Sequence, residues 1–475
     1  MTPINQSRRH FLRTASALTS LVPAAGSGLA LNLATIGAAA AQSGPSDYKA
    51  LVCVFLFGGC DYANTVLATD PGSWSAYLAA RSTPPDPLAL DLPGAGTARS
   101  VLALAHNNAA GLNTGREFAV HPNLSPFKTL FDAGRGAVIS NVGPLVVPLT
   151  KLQYSDKSVP KPPALFSHND QQSTWMAFAP EGARVGWGGR MGDLLASNNG
   201  DPVFTCISAS GNSVFLSGNQ ITQYQVGSNG PIGINGINGT IFGNGGASTA
   251  LRSIVTETRS HLLEKEMNRV TARSIDAGQR MSDAMALTPT SALPALPAAS
   301  AGLATQLRTV ARIIAGQSMT GARRQVFMVG IGGFDNHDNL NTSLVGLMQT
   351  LSNGLAWFDS AMTLLNLQDK VTAFTASDFG RTLTSNGDGS DHGWGSHHYI
   401  AGGAVRGKDV YGRFPVIGVN TSDDVGQGRL LPGISVDQYA ATLGKWFGLS
   451  DTQVLEVMPN LKNFAQRDLG FMNAG

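Results

Sequence analysis

Five apolar runs punctuate the chain without polar alternation: residues 50–57, 136–142, 203–207, 325–330 and 371–376. The first reads Ala50-Leu51-Val52-Cys53-Val54-Phe55-Leu56-Phe57 and stops at Gly58-Gly59. A run that is apolar at odd and even positions alike predicts a strand covered on both faces, as in a parallel sheet. Between the runs the period changes to three and four. Helices are predicted over residues 124–132, 249–285, 302–315 and 341–367, the last with Leu344, Leu347, Met348 and Leu351 along one side. Ser435 is placed to cap a closing helix that reaches Phe447, and a shorter helix follows from Asp451. Strands alternating with helices predict an α/β fold, a large and mostly parallel sheet sandwiched by helices. Ligands in such sheets bind beyond the carboxyl ends of the strands. That rule gathers Asp61, the pair Asp335 and His337, and Asp378 at one edge, because each follows an apolar run.

Two stretches interrupt the pattern. Residues 70–114 are rich in Pro, Gly and Ala and read as a surface excursion. Residues 217–248 are rich in Gly, Asn and Ile and read as a Gly-rich loop or a short hairpin. Both are taken as insertions in one domain, residues 43–475, with a Pro/Ala-rich linker between helices at 288–301. Residues 1–42 differ in kind. They begin Ser7-Arg8-Arg9-His10-Phe11-Leu12-Arg13, continue through a weakly apolar stretch and end on small residues before Gln42. That order describes an export signal, and the paired arginines ahead of Phe-Leu resemble the twin-arginine signal of bacteria. The competing reading, an uncleaved membrane anchor, fits poorly with so much Gly and Ala. A periplasmic or secreted protein carried by the twin-arginine translocase is the expectation, with no membrane span after processing.

The formal net charge is +2 over 475 residues, and the signal holds three arginines and no acid, so the remainder carries −1. No basic patch interleaved with aromatics points to nucleic acid. Three cysteines are too few for a disulfide framework. Cys53 falls in the first strand, and a Cys60–Cys206 bridge stays open as an alternative in an oxidising compartment.

Charged residues make up only 13% of the chain, yet four of its nine histidines and several aspartates crowd between 335 and 398. Asp335 and His337 lie two apart on a turn, where both can face one cavity, and Gly332-Gly333 lets the backbone approach a ligand. Asp378-Phe379-Gly380-Arg381 ends a strand. A guanidinium there suits an anionic group, or else forms a structural ion pair with Asp378. His392, His397 and His398 follow a polar loop. Asp and neutral His are ligands for zinc, manganese and similar ions. Ser167 opens a helical segment; it reads as an N-cap or as an activated nucleophile.

Several of these runs resemble the bacterial exported family called domain of unknown function 1501. They are the twin-arginine start, Phe57-Gly58-Gly59-Cys60-Asp61-Tyr62-Ala63-Asn64-Thr65, Gly333-Phe334-Asp335-Asn336-His337, Asp378-Phe379-Gly380-Arg381-Thr382, and Asp391-His392-Gly393-Trp394-Gly395. Gly402 to Gly407 and the stretch from Asp437 to Gly448 are similar as well. The resemblance implies an alkaline-phosphatase-like, sulfatase-like fold with one or two divalent metals (zinc, manganese or calcium). Asp61 then matches the first metal aspartate, Asp335 and His337 a later pair, and Asp378 the aspartate of a strand-ending Asp-His pair. Phe379 stands where that pair has its histidine, so His392 would have to supply the ligand. His397 or His398 resembles the last metal histidine. Ser167, with Thr65 behind it, stands for the nucleophile, and Arg381 would hold the anion. The implied activity is metal-dependent hydrolysis of a sulfate or phosphate ester. The alternative is a non-catalytic periplasmic binding or assembly protein on a degenerate scaffold.

Overall fold

Lys49–Leu56 forms strand β1, and all eight of its residues are buried. Ala50, Val52, Val54 and Leu56 enter one apolar core while Leu51, Cys53 and Phe55 enter another. The non-alternating run thus folds with helices on both sides of it. The computed structural model describes residues 48–298 and 301–473. The segment read as an export signal lies outside those residues.

The other strands are β2 (Val66–Ala68), β3 (Leu102–Leu104), β4 (Phe118–Val120), β5 (Gly136–Gly143), β6 (Cys206–Ser208), β7 (Tyr224–Gly227), β8 (Gly230–Pro231), β9 (Arg324–Ile331), β10 (Val371–Ser377), β11 (Ser396–Ala401), β12 (Val410–Tyr411) and β13 (Ile434–Ser435). The main sheet has ten strands in the order β12-β5-β11-β10-β1-β9-β6-β7-β8, with β13 also on β5. β1 pairs in parallel with both β9 and β10, and β6 with β9. β11 is antiparallel to β10 and to β5. The carboxyl ends of β1, β9 and β10 and the amino end of β11 therefore share one edge. β2, β3 and β4 make a separate three-stranded sheet.

The helices used below are α1 (Pro71–Arg81), α2 (Ser125–Asp132), α3 (His168–Ala177), α4 (Trp187–Leu195), α5 (Gly245–Thr256), α6 (Leu262–Ala286), α7 (Ala301–Ala315), α8 (Leu340–Leu364) and α9 (Val436–Phe447). Phe127 and Phe131 of α2, Leu307 of α7, and Leu344, Met348 and Leu351 of α8 cover one face of the main sheet. Trp175 of α3, Trp187 and Met191 of α4, and Tyr439 and Leu443 of α9 cover the other. Ser435 and Gln438 cap α9 reciprocally.

The fold answers four of the points raised by the sequence. Residues 70–114 are more than a surface excursion, since they contain α1 and β3, and β3 pairs with β4. Residues 217–248 contain the β7–β8 hairpin, one of the two forms expected there. The long helix expected over 249–285 is two helices, α5 and α6. The buried side chain of Asn268 donates to the carbonyls of Ile254 (3.0 Å) and Glu257 (2.7 Å), which satisfies the end of α5 and lets the chain turn. Finally, the three cysteines are free and buried. Cys60 belongs to one core and Cys206 to the other, so the sheet stands between them and no bridge forms.

Candidate metal centre

Asp335 and His337 sit just beyond β9, in a backbone that turns twice in succession. Asn336 N bonds Phe334 O at 2.9 Å and His337 N bonds Asp335 O at 3.1 Å. The turn is pressed against the end of β1, where a Cβ on Gly58 would lie 2.3 Å from Asp335 N. Gly58 also has φ +116°, so glycine is required there on both counts. The Gly332-Gly333 pair singled out from the sequence is less constrained, because a Cβ at Gly332 meets nothing within 4 Å.

Three imidazoles surround the Asp335 carboxylate. His337 Nε2 lies 3.1 Å from Oδ1, His392 Nε2 3.3 Å from Oδ1, and His168 Nε2 3.4 Å from Oδ2. His337 Nε2 and His392 Nε2 are 2.9 Å apart. His168, Asp335 and His392 form a cluster able to hold a metal ion. His168 comes from the first residue of α3, and His392 from the loop before β11.

Each imidazole has its other nitrogen tied down. His168 Nδ1 meets Asp378 Oδ2 at 2.7 Å, His392 Nδ1 meets the carbonyl of Phe166 at 2.8 Å, and His337 Nδ1 meets Asp391 Oδ1 at 3.2 Å. A carbonyl only accepts, so a neutral His392 carries its proton on Nδ1, while His168 and His337 have a carboxylate within reach of both ring nitrogens. The three Nε2 atoms lie 3.1–3.4 Å from the Asp335 carboxylate. Imidazoles anchored through one ring nitrogen, with the other beside a carboxylate, are how metal-ligating histidines are held. His168, Asp335 and His392 could thus hold a divalent ion, with His337 beside them against His392.

The surrounding charges agree with that reading. Partial burial works against ionisation of Asp335, but the Arg381 bond and charge, helped by His337 and His168, outweigh it and leave the carboxyl below its ordinary range. Burial likewise opposes ionisation of Asp391, and its bonds from Asn386 and His337 prevail. Burial lowers the pKa of His392, against the Phe166 carbonyl and Asp335, which raise it. Phe379 packs against His168 (4.8 Å between centroids) and His392 (4.7 Å). The position where the resemblance lacked a histidine therefore holds an aromatic wall, and His392 and His168 reach the centre from elsewhere.

The structure does not bring every candidate to this centre. Asp378 stands behind it as a support: its Oδ2 also accepts from Gln172 at 2.8 Å and Gly58 N at 3.2 Å. Burial raises its pKa, against the pull of those bonds. Asp61 is turned away into a buried pair, both its oxygens 2.8 Å from Arg81. Arg381 is fully buried, and its donors are taken by Ser390, the Gly58 carbonyl and Asp335 Oδ1 (2.8 Å). It forms an ion pair with Asp335 rather than Asp378 and has no edge open for an anion. The Ser167 hydroxyl donates to Asp170 at 2.9 Å, and that of Thr65 is buried on the Asp61 carbonyl at 2.7 Å.

His397 and His398 lie on β11, fully buried. His397 stacks on Phe414 at 4.6 Å, its Nδ1 accepting from Asn141 N at 3.1 Å. His398 sits against Trp175, with Nδ1 3.2 Å from Thr375 Oγ1. The apolar residues after them extend a strand where a loop was expected. Burial depresses both pKa values to about 3. The unfolded chain binds these protons near pH 6.5 and the folded chain does not, so stability is complete above about pH 6.5 and falls as pH drops toward 3. Each ring contributes a slope of up to about 1.4 kcal/mol per pH unit across that window. Asp437, raised by burial to about 7, opposes it. The difference isolates the imidazole: urea unfolding of His398→Gln should show a shallower acid-side slope than the parent between about pH 6 and 4. Equal slopes would mean the ring stays uncharged in the unfolded chain or charges in the folded one.

The sequence signal for His168, the residue next to Ser167, is its spacing from Gln172. His168 and Gln172 are four apart, on one face of a helix, and both reach Asp378 Oδ2.

Fold and site together describe an α/β protein with a His168–Asp335–His392 cluster, able to hold a metal ion, at the carboxyl edge of its main sheet. The chain belongs to the family described as "Protein of unknown function (DUF1501)", whose profile matches residues 48–458. A search of curated proteins finds no match. Among solved structures it is similar to "Crystal structure of Ps i-CgsB in complex with k-i-k-neocarrahexaose", with 10% identity over 88% of this chain and 77% of that one and a TM-score of 0.31. A likeness that weak carries no argument about function.

Proposed function

We propose that the chain is an exported, metal-dependent hydrolase of sulfate or phosphate esters. The convergence of three Nε2 atoms on the Asp335 carboxylate carries the metal part of this reading. The ester class and the sulfatase-like superfamily rest on the resemblance of the sequence motifs, and export rests on the paired arginines of the first residues. Among the described residues no helix is long and apolar enough to cross a membrane.

Three imidazoles with one carboxylate favour zinc or manganese over calcium, which prefers oxygen. An ion held there supplies a Lewis acid for an ester oxygen and lowers the pKa of water. Asp378, Phe166 and Asp391 fix the rings, and Phe379 walls one side. Asp335 and His337 are both nearly half exposed, which leaves the centre open to solvent and substrate. With Ser167 and Thr65 bonded elsewhere, attack by water is favoured over a covalent enzyme intermediate.

The test joins metal analysis to an ester panel. The expected result is stoichiometric zinc or manganese after dialysis, and turnover of at least one aryl sulfate or phosphate ester that chelator removes and the same metal restores. Turnover that survives His392→Ala would place the chemistry elsewhere. The saturation of Arg381 favours a second reading, a binding or assembly protein. Tight metal with no turnover of any ester would select it.

A further inference from the structure

Nine of the nineteen large apolar side chains left exposed among the described residues fall between 232 and 287. Most line α5 and α6. α6 is 25 residues long, and its second half enters the core through Ala277, Met281 and Met285. In its first half, up to Asp276, only Asn268 is buried. Leu263, Met267 and Val270 follow at spacings of four and three and form one stripe, with Leu262 beside it. Leu262 is 77%, Leu263 73% and Met267 62% exposed. Apolar surface concentrated in this way marks an interaction site.

The charges along the stripe select the partner. A helix that lies in a lipid surface collects Lys and Arg on its polar face. Here Glu264 and Glu266 are interspersed with Lys265, Arg269 and Arg273, so both signs are present. A mixed pattern of this kind complements its own reverse. We propose that the first half of α6 pairs antiparallel with the same segment of a second copy of this chain, across a two-fold axis beside Met267. That register sets Leu263 against the partner's Val270, and Glu264 beside the partner's Arg269. Arg269 bonds Glu266 within its own helix at 2.7 and 2.9 Å. Both groups are exposed, so an exchange of partners costs little. The pairing is independent of the metal centre and of its chemistry.

Sedimentation of the purified protein at micromolar concentration tests it. The expected species is a dimer. Leu263→Asp with Met267→Asp should give a folded monomer with the circular dichroism of the parent, since both positions face solvent in the single chain. Glu264→Arg alone and Arg269→Glu alone should each weaken the dimer about tenfold or more, and the two together should restore it. Met267→Cys should cross-link two chains on mild oxidation, because the three native cysteines are buried. A monomeric parent protein, or a double reversal that stays as weak as the singles, overturns the proposal. So does a protein that stays monomeric yet binds lipid vesicles through Leu263.

Discussion

His168→Ala should lower the affinity of the protein for zinc by about a hundredfold to a thousandfold. Structural zinc sites with four ligands bind with about 10–16 kcal/mol, and one ligand of four carries roughly a quarter of that. The loss should match those of His392→Ala and Asp335→Ala, because the three groups form one cluster. Asp378→Asn should fall in between, at about 10–100-fold, since it touches the metal centre only through His168. Asp61→Asn should leave affinity unchanged, because both its oxygens are spent on Arg81. Competition titration against a chromogenic chelator measures the series. An Asp61→Asn loss as large as that of His168→Ala would return Asp61 to the metal and break this account of the site. The thermal shift on adding zinc should follow the same order, because a ligand that binds only the folded chain stabilises it in proportion to its affinity.

Arg81→Ala should be the most destabilising single change in the first insertion, at about 3–5 kcal/mol. Arg81 and Asp61 are both essentially inaccessible to solvent. Arg81 also donates to the carbonyls of Leu383 at 2.6 Å and Thr382 at 2.8 Å. Removing the guanidinium strands a buried carboxylate and two buried carbonyls at once, and each unpaired group costs what its lost hydration is worth. At about 2–4 °C per kcal/mol for a mid-sized domain, the melting temperature should drop by on the order of 10 °C. Calorimetry of Arg81→Ala beside Arg81→Ala with Asp61→Leu checks the cause. The double variant should recover part of the loss, because it no longer buries an unpaired charge. A double variant that is worse than the single would show that packing by α1, not charge, dominates.

The two experiments separate what looked alike in the sequence. Asp61, Asp335 and Asp378 each follow an apolar run, and the strand-end rule rightly brings all three to one edge of the sheet. It says nothing about which way a carboxylate turns after it arrives. Asp335 faces three imidazoles, Asp378 holds one of them from behind, and Asp61 points to Arg81 of α1. That last partner lies in the excursion whose composition suggested only surface. His397 and His398 show the same limit from the other side. Their neighbours Tyr399, Ile400 and Ala401 were visibly apolar, but the pairing of β11 between β5 and β10, which buries both rings, is a long-range event.

What the sequence determined by itself were the features set by local periodicity and steric need. These are the five apolar runs, the helices between them, the Ser435 cap and the grouping of Asp335, His337 and His392 in one functional stretch. Periodicity decides which surface of an element must be covered, because apolar area is driven from water whatever lies opposite it. The tertiary structure alone decided the membership of the metal centre. His168 enters it from α3, more than 150 positions ahead of Asp335 in the chain. Its ring is aimed by Asp378, a residue 210 positions away. A ligand set is a matter of ångströms and ring tautomers, and those are fixed by partners that only the folded chain brings together.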